Sequence, residues 1–95
     1  DPFSHDLLFA PEAICQYWMG DYEKSLQTFK KVKVKKNYLF YIALSHKKNG
    51  DDELAAEKLK EAHAMTGMNN DAFIGSQPFN NKENLSELKS VLDSI

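Results

Sequence analysis

Ninety-five residues, 42% of them hydrophobic and 27% charged, suit one globular domain and exclude both a disordered and a membrane-embedded chain. A formal net charge of -2 argues against nucleic acid as the main partner. A single cysteine, Cys15, excludes an internal disulfide framework and suits a reducing, cytoplasmic compartment, while no apolar run approaches the roughly eighteen residues of a spanning helix.

In chain order, Asp1-Pro2 reads as a junction rather than a natural start, because proline commonly follows a helix end. Ser4 can cap a short helix through Leu7, Leu8 and Phe9, and Pro11 is tolerated only in a first turn or at a kink. The pattern predicts a helix from about Pro11 to Met19, reaching back to His5 only with a break. Gly20 supplies a turn, and Asp21 caps a second helix from Tyr22 to about Val34, with Leu26, Phe29 and Val32 on one side. A third helix starts near Asn37 and carries Leu39, Phe40, Ile42, Ala43 and Leu44. It stops at Lys47-Lys48-Asn49-Gly50, where cations complement the helix dipole. Asp51 caps a fourth helix that ends at Gly67, with Leu54, Ala55, Leu59 and Ala62 facing inward. A polar loop is predicted from Met68 to Phe79. Asn80 with Glu83 forms a capping-box-like start for a last helix, whose Leu85, Leu88, Val91, Leu92 and Ile95 follow a period of 3.6.

One pattern occurs twice. Gly20-Asp21-Tyr22 and Gly50-Asp51-Asp52 each separate two helical stretches, and the residues five, nine and twelve places after each glycine correspond: Ser25, Phe29 and Val32, then Ala55, Leu59 and Ala62. Small, large apolar, then small-to-medium apolar at that spacing is one face of a helix. A repeat of about thirty residues built as helix, tight turn, helix points to a solenoid, whose units bury their apolar faces on each other.

These hairpins resemble tetratricopeptide repeats. The Gly-Asp-Tyr turn at Gly20 is that family's usual turn, Ser25 and Ala55 match its small residue early in the second helix, and Phe29 and Leu59 match its large apolar one. Val32 and Ala62 match its later small position. Ala13 and Ala43 match the small residue of the first helix, and Phe9 and Leu39 its bulky apolar position. Gln16 and His46 depart from the pattern, standing where an aromatic is usual, and the glycine spacing is thirty, so the connection from Lys33 to Asn37 is short. Asp1-Pro2 is similar to the Asp-Pro that closes a repeat, which implies a longer array. The tail, with Pro78-Phe79 and its Leu-rich helix, is similar to the end of repeat regions in bacterial adenylate cyclases and winged-helix regulators.

The resemblance implies an all-α fold. Two antiparallel helix-turn-helix hairpins (residues 1–36 and 37–67), a loop (68–80) and a capping helix (81–95) would form one domain, a solenoid fragment of a longer bacterial, cytoplasmic protein. It further implies a non-catalytic module that binds protein or peptide. In that family the first helix of each pair lines a concave groove. Carried over, the groove holds Leu7, Ala10, Ile14 and Tyr17, then Asn37, Phe40, Leu44 and Lys47, with Trp18 and Tyr41 flanking it. Ala10 and Ile14 stand where some members use Lys and Asn to clamp a C-terminal carboxylate. The groove would therefore take an apolar helix or extended segment, with Lys47 and Lys48 favouring acidic partners. Phe73 and Ile74 are apolar enough to lie in it as a built-in occupant. Two hairpins are fewer than a repeat array generally needs. Homodimerisation through Leu7, Leu8 and Phe9 is therefore an alternative, as is a regulatory attachment to an enzyme such as a nucleotide cyclase.

Catalytic chemistry finds no footing. His5, His46 and His63 are widely separated, with no HExxH, no Cys-x-x-Cys and no Gly-rich phosphate loop, so neither metal nor cofactor is expected. Cys15 is expected to be packed, as free cysteines usually are. Lys30, Lys31, Lys33, Lys35 and Lys36 crowd a helix end, where they favour the dipole and solvate a connection.

Overall fold

The computed structural model describes residues 2–32, 38–77 and 81–95, with side chains described from residue 9 onward. All regular structure among these residues is helical: α1 (Pro2–Trp18), α2 (Tyr22–Phe29), α3 (Leu39–Lys48), α4 (Asp52–Thr66), α5 (Asn70–Gly75) and α6 (Lys82–Asp93).

The thirty-residue correspondence is reproduced at the level of single hydrogen bonds. At the first turn, Gly20 N donates to Tyr17 O at 3.1 Å and Asp21 N to Gln16 O at 2.9 Å; at the second, Gly50 N donates to Lys47 O at 3.1 Å and Asp51 N to His46 O at 2.9 Å. Gly20 and Gly50 have φ of +89° and +86°, a left-handed backbone that side chains resist. No atom lies within 4 Å of the position a β-carbon would take at either glycine, so any loss on substitution comes from the backbone itself. Gly20→Ala and Gly50→Ala are each expected to cost about 1–2 kcal/mol. Gly75→Ala, with an ordinary helical backbone and open space around it, should stabilise by roughly 0.5–1 kcal/mol. Urea denaturation of the three variants checks both signs.

The turns bring α1 onto α2 and α3 onto α4. Ser25 Oγ donates to Ala13 O at 2.7 Å across the first pair, a distance available only where two helices nearly touch. Ala13, Ala43, Ser25 and Ala55, the four small residues of the repeated pattern, are all fully buried. The large apolar members Phe29 and Leu59 and the later Val32 and Ala62 are buried too.

Helix α3 is the hub. Every residue from Leu39 to Ser45 is buried, and the helix packs against α1, α2, α4 and α6. A helix that is apolar all round belongs inside. Its polar member, Ser45, is satisfied by donating to Tyr41 O at 2.8 Å.

Several boundaries differ from expectation. Helix α1 is continuous through Pro11 rather than broken there, and Ser4 lies inside it. Pro11 is solvent-exposed, so the distortion a proline imposes falls on the side away from the core. Helix α2 ends at Phe29, not Val34. Lys31 N and Val32 N then bond to Thr28 O and Phe29 O at 3.0 and 3.1 Å, a tightened turn that carries Val32 into the core. Leu54, expected to face inward, is exposed, while its neighbour Ala55 in the same first turn of α4 takes the inward place. Cys15 is exposed rather than packed.

The polar loop contains α5, capped by Asn69, whose side chain accepts from Ala72 N at 2.7 Å. The last helix is capped by Asn81, not Asn80, with Asn81 Oδ1 accepting from Glu83 N at 2.9 Å and Asn84 N at 3.2 Å. Asp1, the connection from Lys33 to Asn37, and Pro78 to Asn80 lie outside the described residues.

Candidate functional site

The face expected to form an open groove is occupied by the chain itself. Helix α5 presents Phe73, which stacks on Phe40 with ring centroids 4.3 Å apart and planes 11° from parallel. Phe73 also meets Tyr41 edge-on at 5.6 Å. Helix α6 then lays Leu88 and Leu92, both fully buried, into the same core. Ala10, Tyr17, Phe40 and Leu44 are buried, Ile14 is half-buried, and Leu7 and Asn37 fall outside the described side chains. Of the residues named for self-association, Phe9 is half-buried and its ring lies 5.3 Å from the Lys31 ammonium; Leu7 and Leu8 are not described.

The basic edge is engaged within the chain as well. Lys47 Nζ pairs with Asp52 at 3.0 Å, and Lys48 Nζ pairs with Glu87 of α6 at 3.0 Å. Neither lysine stands unpaired to select an acidic partner. Helices α5 and α6 are joined by Lys89 to Asp71 at 3.4 Å, and Asn70 Nδ2 donates to Asp93 at 3.3 Å. These are exposed contacts that fix geometry more than they add stability.

Beside Phe73 lies an aromatic cluster. Tyr17 meets Trp18, Tyr22 and Tyr41 with centroids 5.2, 5.6 and 5.8 Å away. The Tyr41 hydroxyl donates to Gln77 Oε1 at 2.7 Å, tying the end of the α5 segment to α3. The Tyr17 hydroxyl is buried with no protein partner among the described residues. Tyr41→Phe is therefore expected to cost about 1 kcal/mol, and Tyr17→Phe to be neutral or stabilising.

Burial pushes the Tyr41 phenol from its ordinary 10.0 up to about 12, against a hydrogen bond from Trp18 that lowers it. Burial, then the Glu87 carboxylate, pushes Tyr17 higher still. The folded state thus favours neutral phenols. That contribution is complete below about pH 10 and is lost as the pH rises through about 12. Thermal melting should fall less steeply across this window in Tyr41→Phe than in the parent.

Among the described residues, no group of three or more His, Cys, Asp or Glu side chains is placed to hold a metal ion, and no helix is long and apolar enough to cross a membrane. No family model, curated protein or solved structure matches the chain.

Proposed function

We propose that the chain is a non-catalytic protein-interaction module of the tetratricopeptide-repeat type, whose first and third helices form a concave face for an apolar helix. The reading rests on one observation above the others: this face already takes a short helix, with Phe73 held between Phe40 and Tyr41. An aromatic on a helix is the kind of anchor such grooves select. The chain's own α5 is then a resident occupant, and a partner helix would take the same seat. The two Gly-Asp turns, with the same hydrogen bonds and nearly the same glycine φ, support the repeat assignment.

The test uses the Phe73→Ala chain and a synthetic peptide of residues 69–77, followed by chemical-shift changes at Phe40 and Tyr41. The peptide is expected to bind saturably, and its analogue with alanine in place of phenylalanine is not. Should Phe73→Ala prove unfolded, Phe73→Leu keeps the chain folded and the same competition applies. A folded variant that takes up neither peptide overturns the reading. So does a concentration-dependent mass in sedimentation equilibrium that Phe40→Glu abolishes while the chain stays folded, because the face would then serve self-association.

A further inference from the structure

A pocket of about 240 Å³ opens where α2, α3 and α4 meet, lined by Leu26, Phe29, Lys30, Ile42, His46 and Lys58. No residue of α1, α5 or α6 lines it, so it is separate from the face that holds Phe73.

Its chemistry stands out against the chain's own repeat. His46 and Lys58 lie thirty residues after Gln16 and Thr28. In the first hairpin those two polar side chains close on each other, Thr28 Oγ1 donating to Gln16 Oε1 at 2.6 Å. In the second hairpin the same two places carry an imidazole and an ammonium, which do not neutralise one another. A third cationic side chain, Lys30, reaches the pocket from the end of α2. Its ammonium makes no ion pair or hydrogen bond among the described residues.

We infer that this pocket binds a small carboxylate carrying a short apolar tail. Leu26, Phe29 and Ile42 provide the apolar lining, and Phe29 and Ile42 are buried. Among the described residues, Lys30, Lys58 and His46 are its only polar lining residues, and none is a carboxylate. Two acids lie next to lining residues without lining the pocket themselves: Glu61 holds Lys58 loosely at 3.4 Å, and Asp51, at the start of α4, acts on His46. A carboxylate placed between Lys30 and Lys58 supplies the negative charge this rim lacks, while the tail leaves water for the apolar wall. A volume of about 240 Å³ leaves room for a small acid of about eight non-hydrogen atoms.

The surroundings of His46 fit the same picture. Burial foremost pushes its pKa down, the Asp51 carboxylate opposes this, and the Lys58 and Lys30 charges push it down further. A bound anion must act in the opposite sense and raise it.

The probes are hexanoate, hexylamine and acetate, titrated into the intact chain and followed by backbone amide shifts. Hexanoate is expected to shift the amides of Ile42, His46 and Lys58 saturably, with a dissociation constant on the order of a millimolar. It should also raise the His46 pKa. Hexylamine tests charge and acetate tests the tail; neither should saturate in the same range. Lys30→Gln with Lys58→Gln, both on accessible side chains, should weaken hexanoate about tenfold while leaving the melting curve nearly unchanged. Hexylamine binding as well as hexanoate, no saturation by hexanoate, or full binding in the folded double variant would each overturn the assignment.

Discussion

Arginine at Ala62 or Ala55 is expected to leave the chain unfolded at room temperature. Both alanines have no solvent exposure, and both lie on α4, which packs against the hub helix α3. Ser25 is the counterpart of Ala55 in the first hairpin, and its hydroxyl reaches the Ala13 carbonyl at 2.7 Å, so helices at that position leave no room for a longer side chain; Ala62, the counterpart of Val32, is equally without exposure. A guanidinium there is both too large and unpaired. Buried charges without partners cost more than about 4 kcal/mol, against a total stability of roughly 5–15 kcal/mol for a domain. Circular dichroism and the dispersion of amide resonances give the readout. Arginine at the exposed Ala56 or Ala64 of the same helix is the control, with a change of about 0.5 kcal/mol or less. Unchanged melting of Ala62→Arg would mean that α3 and α4 do not meet in this way.

Truncating either partner of the stacked pair gives the second large effect. Phe40→Ala and Phe73→Ala are each expected to cost about 3–5 kcal/mol, since the rings are 1% and 3% exposed and nothing nearby can refill the space. The double variant should cost clearly less than the sum, because each ring's main loss is the other ring. An open groove predicts the reverse for Phe40: truncation with little loss of stability. Additive costs in the cycle would indicate two independent core positions rather than a docked pair.

Much of the architecture is readable from residues. The two Gly-Asp pairs announce the turns because only glycine accepts the positive φ there without strain, and the small and large positions that follow them are buried as their spacing implies. Helix α5 is hidden because six residues are too few to display a period. Its only signals are the Asn69 cap and the Ala72-Phe73-Ile74 run. The end of α2 is misjudged because burial continues past it: Val32 is as apolar and as buried as the helical pattern requires, yet a tighter turn delivers it.

The groove exposes a more basic limit. Phe40, Leu44 and Tyr17 fall on the expected face, but a stripe of aromatic and aliphatic side chains reads the same whether solvent, a partner or the chain itself covers it. What covers it here is decided by Phe73, Leu88 and Leu92, which come far later in the chain. The pocket beside His46 is similarly invisible in one dimension, since its lining comes from three helices.

That Phe73 is tethered has a quantitative consequence for any visitor to its seat. A segment joined covalently to the surface it covers acts at an effective concentration in the millimolar range for a short connection. An incoming helix competes with that local concentration, and its apparent affinity is scaled down by the fraction of molecules in which α5 has let go. On the proposed reading, weak, unspecific apolar segments would be turned away, while a sequence with a better anchor than one phenylalanine would gain entry. The exposed pairs Lys48–Glu87 and Lys89–Asp71 tie α6 to α3 and α5, so on the same reading ionic strength would be a dial on that threshold.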